Sequence, residues 1–260
     1  MMTMKKHGNQ LNETRVGEVS YTKYGTKAII VEYVNCKKVL VEFQDRYKYS
    51  YYTSYLNFRN GMLTNPYECR NKNGNGIGFI GVGKYNSKEH KEAYQKWKAI
   101  LDRCIRNDYS NKAISSYKGC TVCEEWLNFQ YFAKWFYENK YPCSEPLCVD
   151  KDILVHGNKL YSPDTCLLVP QRINLLFVKE KGRRGSLPIG VYKEKNTYIS
   201  SITKLYKKER IGSSDNKKEA FQKYKIEKEK YIKSVAEEYK NKIPEKLYNA
   251  MYRYEVKITD

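Results

Sequence analysis

No run in this 260-residue chain approaches membrane-spanning length, and Met1 to Asn12 lacks the apolar core of a signal peptide. Both absences point to a cytoplasmic chain with no membrane partner. Acid is in short supply: 29 Asp and Glu stand against 48 Lys and Arg, a formal net charge of +19. An excess of that size points to a polyanionic partner, most simply nucleic acid. The rival reading is a lysine-rich composition with no partner behind it. It fits the 26 Tyr and the many Asn, Lys and Ile, but not the clustering of charge with aromatics in one late segment. Histidine is scarce, at positions 7, 90 and 156. Eight Cys in a reducing compartment leave buried thiols or a metal site rather than structural disulfides.

After a polar leader, residues 13–66 alternate apolar and polar side chains in short runs. These are Gly17–Tyr21, Lys27–Tyr33, Lys38–Phe43 and Tyr47–Tyr51, broken at Tyr24-Gly25, Asn35 and Asp45. About fifty such residues predict a small, bent β-barrel of the Tudor or chromo sort. Residues 67–78 carry Asn-Lys-Asn-Gly-Asn-Gly and read as a linker. Helices are predicted from Ser87 to Arg106, with Tyr94, Trp97, Ile100 and Leu101 as the apolar stripe, and from Glu124 to Asn139. Ile189–Tyr192, Thr197–Leu205 and Lys207–Gly212 read as strands, and Asp215 to about Tyr239 as a long helix. The tail 243–260 adds a short helix from Pro244 to Tyr252. The fold class is α+β and multidomain.

The organising stretch is Leu147 to Val178. Leu147–Leu154 alternates apolar and charged residues as a short strand, and His156-Gly157-Asn158 supplies a turn. Leu160–Pro170 then leads into a helix opened by Pro170. Upstream stand Tyr94-x-x-Trp97, Asp102-Arg103-Cys104, Tyr117-x-Gly119-Cys120-x-Val122-Cys123-x-x-Trp126 and Phe129-x-x-Phe132. In that order these motifs resemble the HNH-like proteins of bacteriophage genomes, many of which end in an APETALA/ethylene-response-factor-type domain. The resemblance covers roughly residues 79–240. It implies an HNH-like domain at 79–180 containing a ββα unit, and an APETALA-type DNA-binding domain at 186–242. If the chain is phage-encoded, its compartment is the host cytoplasm.

An HNH nuclease activates water with a strand-end His oriented by an Asn, and holds one divalent ion with help from a helix residue. By the resemblance, the base position falls at or beside Lys151, between Asp150 and Asp152. The orienting Asn falls at Thr165 and the helix ligand at Asn174. A charged lysine neither takes a proton nor binds a metal. His156 is the remaining imidazole in the motif, several residues beyond the base position. Asp150, Asp152 and Asn174 could still hold Mg2+ if the nuclease is active. The alternative is that Asp150 and Asp152 cap or pair with the fold's own groups. Cys120-x-x-Cys123 with Cys143 and Cys148, or with Cys166, invites a zinc site. Small thiols packed at apolar positions are the preferred reading, with no metal.

The resemblance also implies that one face of the late sheet meets DNA while the other packs on the helix. Alternation puts Ile202 toward the helix, leaving Tyr192, Lys195, Ser201, Thr203, Lys208 and Arg210 outward, flanked by Arg183 and Arg184. The expected function is double-stranded DNA binding on a degenerate HNH scaffold. An active metal-dependent endonuclease is one alternative. A protein that binds and inhibits a host defence protein is another.

Overall fold

The computed structural model describes residues 15–69, 76–105, 117–178 and 185–260. Arg183 and Arg184, His7 and much of the expected linker lie outside the described residues. The chain divides into two units, one from residues up to Lys91 with Glu124–Phe132, the other from Glu92–Cys123 with Ala133–Asp260. Among the described residues no helix is long and apolar enough to cross a membrane.

In the first unit, β1 (Val19–Tyr21), β2 (Lys27–Asn35), β3 (Lys38–Phe43) and β4 (Ser50–Thr53) form an antiparallel meander in that order. The expected barrel does not form: β1 and β4 are the two edges of an open sheet. Edge strands of three and four residues are too short to tilt around and pair. The alternation seen in sequence sends Ala28, Ile30, Val39, Val41 and Phe43 to one buried face, where they meet Phe58 and Leu63. Phe58 comes from α1 (Tyr55–Arg59), whose first turn is capped by Ser54 accepting from Asn57 N at 3.2 Å.

Residues 124–132 join this unit through Gln130. Its Nε2 donates to the carbonyls of Ile80 (3.0 Å) and Tyr85 (2.7 Å), and its Oε1 accepts from Tyr85 N at 3.0 Å. Gly81 lies beside this clamp, against Asn128. Its φ is +72°, and a Cβ there would run into the Asn128 side chain.

The second unit begins with α2 (Lys91–Ile105), which buries Ala93, Trp97, Ile100 and Leu101. β5 (Thr121–Val122) pairs in parallel with β7 (Leu160–Tyr161). The first unit's segment 124–132 holds a 3-10 turn at Glu125–Leu127 and the start of α3 (Phe129–Asn139), whose remainder from Ala133 belongs to the second unit, so the helix expected from Glu124 starts later. β6 (Leu147–Asp150) pairs antiparallel with β8 (Leu167–Pro170), and α4 (Gln171–Leu176) follows at once. The strand expected over Leu147–Leu154 ends at Asp150, and the stretch expected as a second strand or loop over Leu160–Pro170 holds β7 and β8 before the expected helix.

β9 (Val191–Glu194), β10 (Thr197–Lys204) and β11 (Lys207–Ser214) form an antiparallel sheet ordered β11-β10-β9. It is followed by α5 (Lys217–Glu238), capped by Asn216 accepting from Lys218 N at 2.8 Å, and by α6 (Glu245–Tyr252). The apolar stripe of α5 serves two cores. Ala220, Phe221 and Tyr224 pack on Val191 and Ile202 of the sheet. About two turns on, Ile232, Val235 and Ala236 pack with Val169, Ile173 and Leu176 of the β8–α4 segment and Leu247 and Met251 of α6. The segments expected as separate middle and C-terminal domains therefore share one apolar core. Gly190, at φ +74°, brings the backbone so close to the Tyr224 ring that any Cβ would overlap it.

Candidate nucleic-acid interface and the buried Lys151 site

Asp150 ends β6, and its Oδ1 accepts from the backbone N–H groups of Asp152 and Ile153, both at 2.8 Å. This carboxylate turns the chain out of the strand. Burial raises its pKa above the usual carboxylate range, partly offset by the two N–H donors. Lys151 follows and is only 4% exposed. Its Nζ donates to Asp152 Oδ2 at 2.7 Å and to the Asn158 carbonyl at 2.6 Å, and lies 5.8 Å from the Tyr161 ring centroid. Asn158 answers by donating from Nδ2 to the carbonyls of Lys151 (3.0 Å) and Leu160 (2.6 Å). Lys151 and Asn158 thus stitch the end of β6 to the start of β7. Arg103, from α2, reaches the same neighbourhood by donating to Tyr161 Oη at 3.3 Å.

A divalent ion does not fit this donor set. An ammonium already occupies the Asp152 carboxylate, and Asp150 Oδ1 is committed to two backbone donors. The Asn174 side chain, half-buried on α4, makes no hydrogen bond to either aspartate. Thr165, at the expected orienting position, closes its own turn by donating to the Leu160 carbonyl at 2.7 Å and meeting Ser162 Oγ at 2.9 Å. Among the described residues no group of three or more His, Cys, Asp or Glu side chains could hold a metal ion. Cys120 and Cys166 are buried, and burial raises both thiols, Cys166 to about 12. Cys123, Cys143 and Cys148 are half-buried.

His156 stands apart from Lys151. Its Nε2 lies 2.6 Å from Asp260 Oδ1, and that carboxylate is buried while its other oxygen accepts from Lys257 N at 2.9 Å. The imidazole borders an open cavity of about 530 Å³ whose lining includes Lys246, Arg253, Tyr254, Glu255 and Lys257. A carboxylate orienting an imidazole is the geometry of a general base, more than a hundred residues apart in sequence. Nothing in the local pattern around His156 signals Asp260, nor does anything around Lys151 signal Asn158 as its partner.

The β9–β11 sheet collects the other expected residues. The register pairs Thr203 with Lys208, Ser201 with Arg210 and Ile199 with Tyr192, which puts all six on the face away from α5. The helix-facing set is Val191, Ser200 and Ile202, with Ser200 Oγ donating to the Ala220 carbonyl at 2.6 Å. On the outward face Lys208 Nζ sits 4.1 Å from the Tyr192 ring centroid. Lys208 belongs to β11 and Tyr192 to β9, so their side chains meet across the central strand. That explains a departure from expectation. Ser201, which this arch crosses on the central strand, is only 8% exposed; Ile199, on the same face, is 1% exposed. Ser201 is thus not an open contact residue. A bulge between Ser200 and Ser201 accompanies the change.

Thr203, Lys208 and Arg210 remain exposed, and Tyr192 is half-buried. Arg210 Nη1 is 3.8 Å from Glu194 Oε2, with both side chains 57% exposed, a loose pair that water screens. Among the described residues neither Lys207 nor Lys208 has a carboxylate within ion-pair distance. Lys195, in the β9–β10 turn, is exposed and holds φ at +53°. The far end of the sheet carries a feature that alternation did not single out. β10 and β11 are joined by Leu205 and Tyr206, both at positive φ (+44° and +67°), and both exposed, at 63% and 84%. Compared with models of known protein families, with curated proteins and with solved structures, the chain matches none.

Proposed function

We propose that this chain binds double-stranded DNA through the outward face of the β9–β11 sheet, on a scaffold of HNH type that no longer cleaves. The observation that carries the binding half is the in-register row of Tyr192, Thr203, Lys208 and Arg210, facing away from α5. Cations that fold stability does not use are available to displace counterions from phosphate. The overall charge of +19 favours the same partner. The non-cleaving half is supported by Lys151, which spends its charge on Asp152 and Asn158 at the place where the resemblance implies a general base.

The test is incubation of the purified chain with plasmid and Mg2+ or Mn2+, scoring binding and nicking together. Salt-dependent retardation without nicking is the expected result. Lys208→Ala and Arg210→Ala should each flatten the dependence of log affinity on log salt by about one unit if each contacts a phosphate. A second reading, an active endonuclease, has the His156–Asp260 pair in its favour. Metal-dependent nicking abolished by His156→Ala would replace the first reading with it. A salt-resistant complex with a host protein, and no DNA retardation, would point instead to an inhibitor.

A further inference from the structure

Two-residue hairpin turns with both central residues at positive φ favour Asn-Gly, because there Cβ crowds the following carbonyl oxygen, a contact that Gly avoids and that Asn offsets by local hydrogen bonding. The turn between β10 and β11 has this conformation and is filled by Leu205 and Tyr206. Neither side chain gains burial in exchange. Tyr206 is the most exposed of the large hydrophobic side chains described, at 84%, and Leu205 stands at 63%. The turn at the opposite end of the sheet, Lys195-Asn196, has a polar tip. Backbone held in an unfavourable region to present apolar groups to water indicates that those groups act on something outside the fold.

The collar around the tip says what that is. Lys207 and Lys208 follow directly on β11, exposed and without a carboxylate partner among the described residues. Lys204 precedes it, turned toward α5, where Glu227 takes its charge at 2.6 Å. Lys208, in register with Thr203, therefore puts free charge on the side of the tip that continues into the Tyr192 and Arg210 face, while Lys207, in register with Lys204, stands on the other side of the tip. We propose that Leu205 and Tyr206 form a wedge that enters between base pairs of duplex DNA, unstacking one step while the lysines hold the adjoining phosphates. The proposal rests on the DNA-binding reading and adds a mode to it: recognition by deformability rather than by base-edge hydrogen bonds. A flat anionic lipid surface would engage the tip but leave Arg210 and Tyr192 idle, whereas a groove engages both.

The experiment uses the full chain and a duplex oligonucleotide with 2-aminopurine at spaced positions along one strand. Binding should raise the fluorescence of at least one probe as its neighbours unstack. The informative variant carries Leu205→Asn and Tyr206→Gly together. Asn-Gly suits the turn, so this variant should fold and melt at or above the parent temperature. It should bind about tenfold more weakly and lose the fluorescence rise while keeping the salt slope of the parent. Binding with no probe response, or a response the variant retains, would overturn the wedge and leave the DNA reading intact. Absence of salt-dependent duplex binding would overturn both. Adsorption to phosphatidylserine vesicles that the variant loses, with no unstacking of DNA, would also overturn the wedge by assigning the tip to lipid.

Discussion

At Lys151 the ammonium is shut away from water, with oxygens at 2.6 and 2.7 Å; at Lys208 it lies at the surface, over a tyrosine ring. Lys228 falls between them, half-buried on α5, with no oxygen partner among the described residues. The same side chain holds a fold together in the first place and costs the fold stability in the last. On the sheet it leaves its charge for a partner. Burial decides between these roles, because the loss of hydration must be offset by local oxygens or endured.

That contrast can be broken at its strongest point first. Lys151→Met should destabilise the chain by about 2–3 kcal/mol, since the Asn158 carbonyl loses its donor and Asp152 its counterion. The loss at Asp152 is tempered by water, since its side chain is 41% exposed. Urea unfolding measures it, and a change near zero would mean that Lys151 is not the brace described.

The Lys228 prediction has the opposite sign. Burial pushes its pKa down from 10.5 to about 8. Between about pH 8 and 10.5 the unfolded chain therefore binds the proton that the folded chain has released, so stability from this group rises with pH across that window. Below about pH 8 the full cost is present. Lys228→Met should therefore stabilise the protein at pH 7 by about 2 kcal/mol, with the advantage shrinking toward pH 10. Thermal melts of parent and variant from pH 7 to 10 would show it. A constant difference across that range would contradict it.

Lys208→Ala should be the mildest for folding, within about 0.5 kcal/mol. If its stability falls well beyond that, the arch over Ser201 is part of the core and the sheet face is structural.

Much of the local architecture was legible in the sequence. Alternation at Lys27–Phe43 gave the strands and their buried face, and the spacing of Ala220, Phe221, Tyr224, Tyr231, Ile232, Val235 and Ala236 gave the apolar side of α5, all of it buried except the half-buried Tyr231. The order of β6, β8 and α4 followed from an apolar run, a turn and a proline. The open sheet of the first unit was not legible, because closure depends on edge-strand length and tilt, which alternation does not encode. Alternation also misassigned the accessibility of Ser201. It gives the face on which a side chain stands, but not whether neighbours on flanking strands reach over it.

What the sequence determined by itself is therefore short-range: which segments extend or coil, which side of each is apolar, and that the chain carries a large excess of positive charge. Tertiary structure alone decided which charges that excess leaves available. It placed Asn158 and Asp152 around Lys151, set Asp260 against His156, and left Leu205 and Tyr206 uncovered at a hairpin tip. The physical reason is that hydration and pairing depend on through-space neighbours, and these come from residues up to 104 positions apart.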